Sequence, residues 1–267
     1  MAQGMNKLNE ALVSLPEVRE LLLSLDAGTS PIAVSGLSGV HRAQLAAAVR
    51  HKTQRPLLIV CADENEANRM AGDLHELLGE DVSLLFAREW QLRDRVFASH
   101  GWEQQRIGSL CSLAAGKAPI LVATVDGLMQ QTLPPDALRG AVTDISLGDR
   151  FDLNALSKKL VESGYTRAET VEGVGQFALR GGILDVWSPL SAPVRVEFFD
   201  DEVDAMGEFD VTTQRRTQNV KSLTILPAAE VLPALSDGGR EKMLERLGRA
   251  AQKIAKKAED SPIVQTC

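Results

Sequence analysis

The chain has 267 residues, 44% of them hydrophobic, which is enough for a real core and excludes global disorder. At about 150 residues per domain it holds one large or two modest domains. With 29 basic residues against 36 acidic, the net charge of −7 excludes a purely electrostatic nucleic-acid binder. Seven Phe, three Trp and one Tyr are too few for extensive base stacking. No apolar run reaches the roughly 20 residues that span a bilayer, so no membrane partner is expected. The polar start, Met1-Ala2-Gln3-Gly4-Met5-Asn6, has no secretory h-region, and a cytoplasmic location is expected.

Between residues 5 and 25, Leu8, Leu12, Leu15, Val18, Leu22 and Leu25 recur at helical steps, interrupted at Pro16. After the turn Gly28-Thr29-Ser30-Pro31, the run Ile32-Ala33-Val34 reads as a short strand. An Ala-rich helix from His41 to His51 follows. Leu57-Leu58-Ile59-Val60 then reads as a buried strand, and Asp63-Glu64-Asn65-Glu66 opens a helix running to Leu78. A strand over 82–86, an irregular stretch over 88–100, a helix over 104–115, a strand Ile120-Leu121-Val122-Ala123 and a short helix over 125–131 complete the pattern. Strands alternating with helices in this way predict a parallel sheet with helices on both faces.

The grammar changes after Pro134-Pro135. Residues 143–147 are extended and Asn154–Ser163 is helical. Short strands are expected at 170–172, 176–179, 183–187, 194–199 and 202–209, separated by Gly173, Gly175, Gly181-Gly182 and Pro189. Strands joined by tight turns predict a mostly antiparallel α+β module. The expected division is an α/β domain over 1–139, the α+β module over 140–226, and a linker with a helix over 227–267. That last helix carries Met243, Leu244, Leu247, Ala250, Ala251 and Ile254 on one face. Arg240, Lys242, Arg246, Arg249, Lys253, Lys256 and Lys257 make the rest of it basic.

Gly36-Leu37-Ser38-Gly39-Val40-His41-Arg42-Ala43 occupies the place of a phosphate loop. A working loop needs Gly-Lys-Ser/Thr where this chain has His41-Arg42-Ala43: glycine for close backbone approach, lysine for charge, a hydroxyl for Mg²⁺. Arg does not replace Lys at so tight a site. The same residues also read as an ordinary strand–turn–helix; on either reading, ATP hydrolysis here is not expected. Thr124-Val125-Asp126-Gly127 lacks the second acid of a Walker-B strand, and no catalytic site is expected in this segment. Cys61, Cys111 and Cys267 are scattered, as are His41, His51, His75 and His100, so neither a zinc site nor a redox pair is expected. The run Asp200-Asp201-Glu202 with Asp204 reads as a hairpin tip or, with less support, as a metal site.

The most distinctive segment runs from Gly175 through Arg180-Gly181-Gly182-Ile183-Leu184-Asp185-Val186-Trp187-Ser188-Pro189, then Val194 to Asp204, then Phe209-Asp210. It resembles domain 2 of the excision-repair protein UvrB and of the bacterial transcription-repair coupling factors, the Mfd family. The pattern common to them is F-x-x-RG-x-x-(I/L)-D-(I/V)-(F/W)-x-P, then R-x-(E/D)-(L/F)-F-(D/G)-D-E, then F-D. Resemblance covers most of residues 30–230, and Trp90, Ser99-His100 and Leu128-Met129-Gln130 look more like the coupling factors. UvrB keeps an intact phosphate loop and a long aromatic-rich hairpin; here the loop is altered, and residues 86–106 are too short and lack Tyr.

The resemblance implies a degenerate helicase-like first domain (1a-like), an inserted domain-2-like module and an incomplete 1b-like end. It implies that domain 2 docks UvrA through Arg180, Arg195 and Phe199, with Glu197 in support. ATP and Mg²⁺, with DNA and stalled RNA polymerase as further partners, would belong to a motor outside this chain. Ala178 stands where UvrB often has Arg and Gly182 where it has Asp, which thins the implied contact set. Strand alternation puts Arg195, Glu197 and Phe199 on one face and Val194, Val196 and Phe198 on the other. Nine basic and fourteen acidic residues over 140–226 suit a protein partner better than DNA. Two other readings stay open. Phe199 caps a hairpin while Arg195 pairs with Asp200 or Asp201, or the chain is a divergent UvrB-like nucleotide- or DNA-binding enzyme domain.

Overall fold

The computed structural model describes residues 2–88, 100–235 and 238–259. Most of the stretch expected to be irregular, residues 89–99 with Trp90 and Ser99, lies outside them. The chain divides into two compact units, Met1–Arg139 and Gly140–Cys267.

The first unit opens with helices α1 (Ala2–Val13) and α2 (Pro16–Asp26), parted where Pro16 supplies no backbone N–H. Then come α3 (Gly39–Thr53), β1 (Leu57–Cys61), α4 (Glu64–Leu78), β2 (Ser83–Leu85), α5 (His100–Ala114), β3 (Ile120–Thr124), α6 (Val125–Met129) and α7 (Pro135–Ala141). The sheet is parallel, in the order β1-β3-β2. All five residues of the central strand β3 are buried, as an apolar run covered on both faces requires. On one face Ala43 and Ala47 of α3 and Met70, Leu74 and Leu77 of α4 pack against Ile120 and Val122. Small alanines let α3 lie close. α4 is well capped: Asp63 accepts from the Glu66 amide at 2.8 Å, and Gly79 takes the left-handed turn at φ +66°.

Residues 32–34 are not a strand, so the sheet has three strands among the described residues rather than the expected four. Pro31 has no N–H to give, no described strand pairs with Ile32-Ala33-Val34, and Val34 stays exposed. The edge strand β1 also leaves Leu58 and Val60 half exposed on the face opposite α3 and α4.

The second unit contains β4 (Thr143–Ser146), α8 (Leu153–Glu162), β5 (Thr166–Arg167), β6 (Gln176–Arg180), β7 (Ile183–Val186), β8 (Val194–Phe199), β9 (Glu202–Phe209), β10 (Arg216–Asn219), β11 (Ser222–Ile225) and α9 (Gly239–Glu259). Six strands form one sheet in the order β10-β9-β8-β7-β6-β5, antiparallel except for the β5–β6 pair. β4 and β11 make a separate two-stranded ladder. Every second residue faces one core: Phe177, Leu184, Val186, Val194, Val196 and Met206 from the sheet, Leu156 and Leu160 from α8, Ile145 and Ile225 from the small ladder. The expected strand at 170–172 is absent. Gln176 Oε1 accepts the amides of Glu172 and Gly173 at 2.9 and 3.1 Å, so a side chain takes the donors a ladder would need. Along α9, Leu244, Leu247 and Ile254 are each more than half exposed.

Gly127, at the start of α6, is the tightest backbone approach among the described residues of the first unit. A Cβ there would stand 2.6 Å from the Leu85 carbonyl oxygen and 2.9 Å from the Phe86 carbonyl carbon. Both neighbours are main chain and cannot swing away. Gly127→Ala is expected to cost about 2–3 kcal/mol, seen as a lower denaturant midpoint.

Candidate functional site

The outer face of the six-stranded sheet, turned away from that core, carries the residues singled out in the sequence. Antiparallel pairing places Ala178, Asp185, Arg195 and Gly207 in one row across β6, β7, β8 and β9. The next row is Arg180, Ile183, Glu197 and Ala205; Phe199 faces Glu202 one step further. Two tight turns, Gly181-Gly182 and Asp200-Asp201, close the neighbouring hairpins at the same end of the sheet. Gly181 and Asp200 supply the left-handed residues, at φ +59° and +61°. Gly182 has a separate reason to lack a side chain, since a Cβ would meet the Phe198 carbonyl at 2.9 Å.

Asp185 is the hub of the first row and is fully buried. Arg195 Nε donates to its Oδ1 at 2.6 Å and Arg195 Nη2 to its Oδ2 at 2.9 Å, a two-pronged fork. Arg180 Nη2 donates to the same Oδ2 at 2.6 Å. Arg195 is held further by its Nη1 on the Gln214 carbonyl at 3.3 Å and by the Phe209 ring, whose centroid lies 5.1 Å from its guanidinium carbon. The hydrogen bond to Asp185 pushes the Arg195 guanidinium above the ordinary arginine range, against the opposing effect of burial. Its side chain is only 20% exposed. Arg195 therefore pairs neither with Asp200 nor with Asp201. Arg150 takes Asp201 and Glu202 instead. Glu197 accepts from Arg216 Nη2 on β10.

What solvent reaches is different. Phe199 is 80% exposed, Ile183 is 38% exposed, and the Arg180 side chain is half exposed. Together with Glu197 these make an apolar pair beside a cation at one end of the sheet. Ile183 and Asp185 escaped the sequence reading as site residues. The period-two alternation of Ile183-Leu184-Asp185-Val186 does place both opposite the buried Leu184 and Val186. Ala178, where UvrB often has Arg, is buried directly opposite Asp185. Asp200-Asp201-Glu202 forms the β8–β9 hairpin tip, and no trio of metal-ligating side chains converges among the described residues.

In the first unit, Gly36 is left-handed at φ +81° and Ser38 precedes α3. Ser38 Oγ is 2.9 Å from His41 Nδ1, Arg42 Nη1 donates to Glu66 Oε1 at 2.8 Å, and Ala43 is buried in the core. A guanidinium held by a carboxylate, with no hydroxyl following it, does not fit a Mg²⁺–triphosphate. Burial pushes the nearby Cys61 thiol up, with Glu66 adding to the effect, and pushes Cys111 up to about 11.

The family described as the UvrB interaction domain matches residues 143–231. A transcription-repair-coupling factor of Myxococcus xanthus is 34% identical over 232 residues, 84% of this chain and 19% of that protein. Those of Bacillus subtilis and Staphylococcus epidermidis are 29% and 28% identical, over 94% and 88% of this chain. Over most of its length the chain is therefore similar to transcription-repair-coupling factors. It spans about a fifth of the length of these curated relatives. Within the family match lie both hairpins and the whole Asp185 row, so the part of the chain that the sequence pattern singled out is also the part the domain description covers.

Two outcomes follow from this geometry. Arg195→Ala should cost about 3 kcal/mol in unfolding free energy, because it strips the main partner from a buried carboxylate, whereas Phe199→Ala should stay within about 0.5 kcal/mol. Chemical denaturation of the two variants separates them. Cys111, with a thiol pushed up to about 11, stays protonated at pH 8 and should resist Ellman's reagent until the chain is unfolded.

Proposed function

We propose that this chain is the UvrA-recruiting region of a transcription-repair coupling factor, directing nucleotide excision repair to lesions that stall RNA polymerase. The observation that carries the reading is Phe199, a large aromatic held in solvent on the face of the sheet that also carries Ile183 and Arg180. The sheet that presents it is matched by a UvrB interaction domain. An exposed aromatic next to an arginine is the composition of an interface hot spot. Arg180, Glu197 and Phe199 meet UvrA on this reading, and Ile183 joins them. Arg195 contributes chiefly by keeping the row in place.

In the same reading Gly36, Gly39, His41, Arg42 and Ala43 are a disused phosphate loop, and the first unit is a helicase-like domain that has stopped binding nucleotide. The Arg42–Glu66 pair and the burial of Ala43 support this. The whole protein is then an ATP-dependent DNA translocase of the cytoplasm. Its motor, with ATP and Mg²⁺, and its contacts to DNA and stalled RNA polymerase lie outside this chain. The segment itself is a binding module without a reaction of its own.

Calorimetric titration of UvrA into the chain tests the reading. Phe199→Ala should weaken binding by about 2–4 kcal/mol while leaving the melting temperature in place. Arg180→Ala should weaken it by a similar amount and also lower the melting temperature, because it takes one donor from the buried Asp185. Wild-type affinity in both variants would remove the assignment. Titration of the chain with ATP and Mg²⁺ should give no heat of binding; a saturable isotherm would instead favour a divergent nucleotide-binding UvrB relative.

A further inference from the structure

The described surface offers one arrangement that the docking reading alone does not use: a carboxylate inaccessible to solvent, whose two oxygens are taken by arginines of the two flanking strands. Asp185 Oδ1 serves Arg195 alone, and Oδ2 is shared by Arg195 at 2.9 Å and Arg180 at 2.6 Å. The two arginines are unequal. Arg195 is spent inside the sheet, on Asp185, on the Gln214 carbonyl and over the Phe209 ring. Arg180 is half exposed and uses one hydrogen on Asp185 and one on the Glu169 carbonyl at 3.1 Å. Of its five N–H groups, three remain to be given to a partner.

We propose that Asp185 is the positioning residue of the docking surface: through its shared oxygen it fixes the Arg180 guanidinium on the face of the sheet that also presents Ile183 and Phe199, and Arg195 is the counter-charge that makes this buried carboxylate tenable. Burying a carboxylate without partners is costly, and a long arginine with no anchor would sample many rotamers. With both guanidiniums on it, the hub carries one surplus positive charge, offered outward through Arg180. The group it recognises is accordingly an acceptor, a carboxylate or carbonyl of the partner, lying next to an apolar recess for Phe199 and Ile183. Fixing Arg180 beforehand removes an ordering cost that binding would otherwise bear.

This inference rests on the UvrA reading, and the experiment keeps the two apart. The first measurement needs no partner: arginine side-chain ¹⁵N relaxation in the whole 267-residue chain. Asp185→Asn should release Arg180 to fast internal motion while the backbone amide spectrum stays folded. The second is UvrA affinity across a cycle of Asp185→Asn, Arg180→Ala and both together. Asp185→Asn should weaken binding about tenfold, and should add less than about twofold once Arg180 is already alanine. A merely structural role would give losses that multiply in the double variant.

If Asp185→Asn alone fails to fold, Asp185→Asn with Arg195→Gln removes both buried charges together and serves in its place, with the same tenfold loss expected. An Arg180 side chain that stays rigid in either variant overturns the proposal, as does affinity within twofold of wild type. If the wild-type chain does not bind UvrA, the docking reading falls, and the positioning role falls with it whatever the relaxation data show.

Discussion

A single buried carboxylate organises the outer face of the second unit. Four strands contribute to the row through Asp185; two guanidiniums close on its carboxylate, and the Gln214 carbonyl and the Phe209 ring hold one of them, that of Arg195. Burying that charge is unfavourable unless every lone pair finds a donor, and here the donors come from β6 and β8, on either side of β7. Registry between three strands is thereby tied to electrostatics as well as to the hydrophobic core on the opposite face. A one-residue slip would send Asp185 into Leu184 and Val186 territory.

The two faces of this sheet divide the work. The inner face is made of branched and aromatic residues and carries the stability of the unit. The outer face has a small apolar cluster of its own, Val171, Ala178 and Phe209, around which the charged row is assembled. At the hairpin end this face becomes open, and Ile183 and Phe199 stand beyond the last buried row. Exposure of two large apolar side chains on a sheet that otherwise largely buries its Val, Leu and Phe is the physical reason to look for a partner there.

Much of this was written in local pattern. The capped, periodic helices α4 and α8 and the alternating strands β7, β8 and β9 are legible because period 3.6 or 2 is visible within one element, and α3 is legible from its run of alanines. β10 was not, since Arg216-Thr217-Gln218-Asn219 is polar and exposed throughout and is a strand only because β9 pairs with it. The apparent strand at 32–34 had the composition without the neighbours. The same distinction holds in the site. That Arg195, Glu197 and Phe199 share a face follows from alternation, whereas the partner of Arg195 sits ten residues upstream and is set by the β7–β8 register. Local sequence pointed instead to Asp200 and Asp201, which are nearer in the chain but form the turn at the end of the hairpin.

One irregularity in the β8–β9 hairpin bears on how this surface can change over evolution. Glu197 pairs with Ala205 and Phe198 with Val203, so Asp204 is an extra residue bulged out of the ladder. Taking it away would leave Val203 and Met206 still pointing inward, because the remaining residues alternate without it. Chain length at this point is therefore decoupled from the interior, and what it governs is the local coiling of the strand ends. A single amino acid can therefore be gained or lost here without disturbing the core that the hairpin covers.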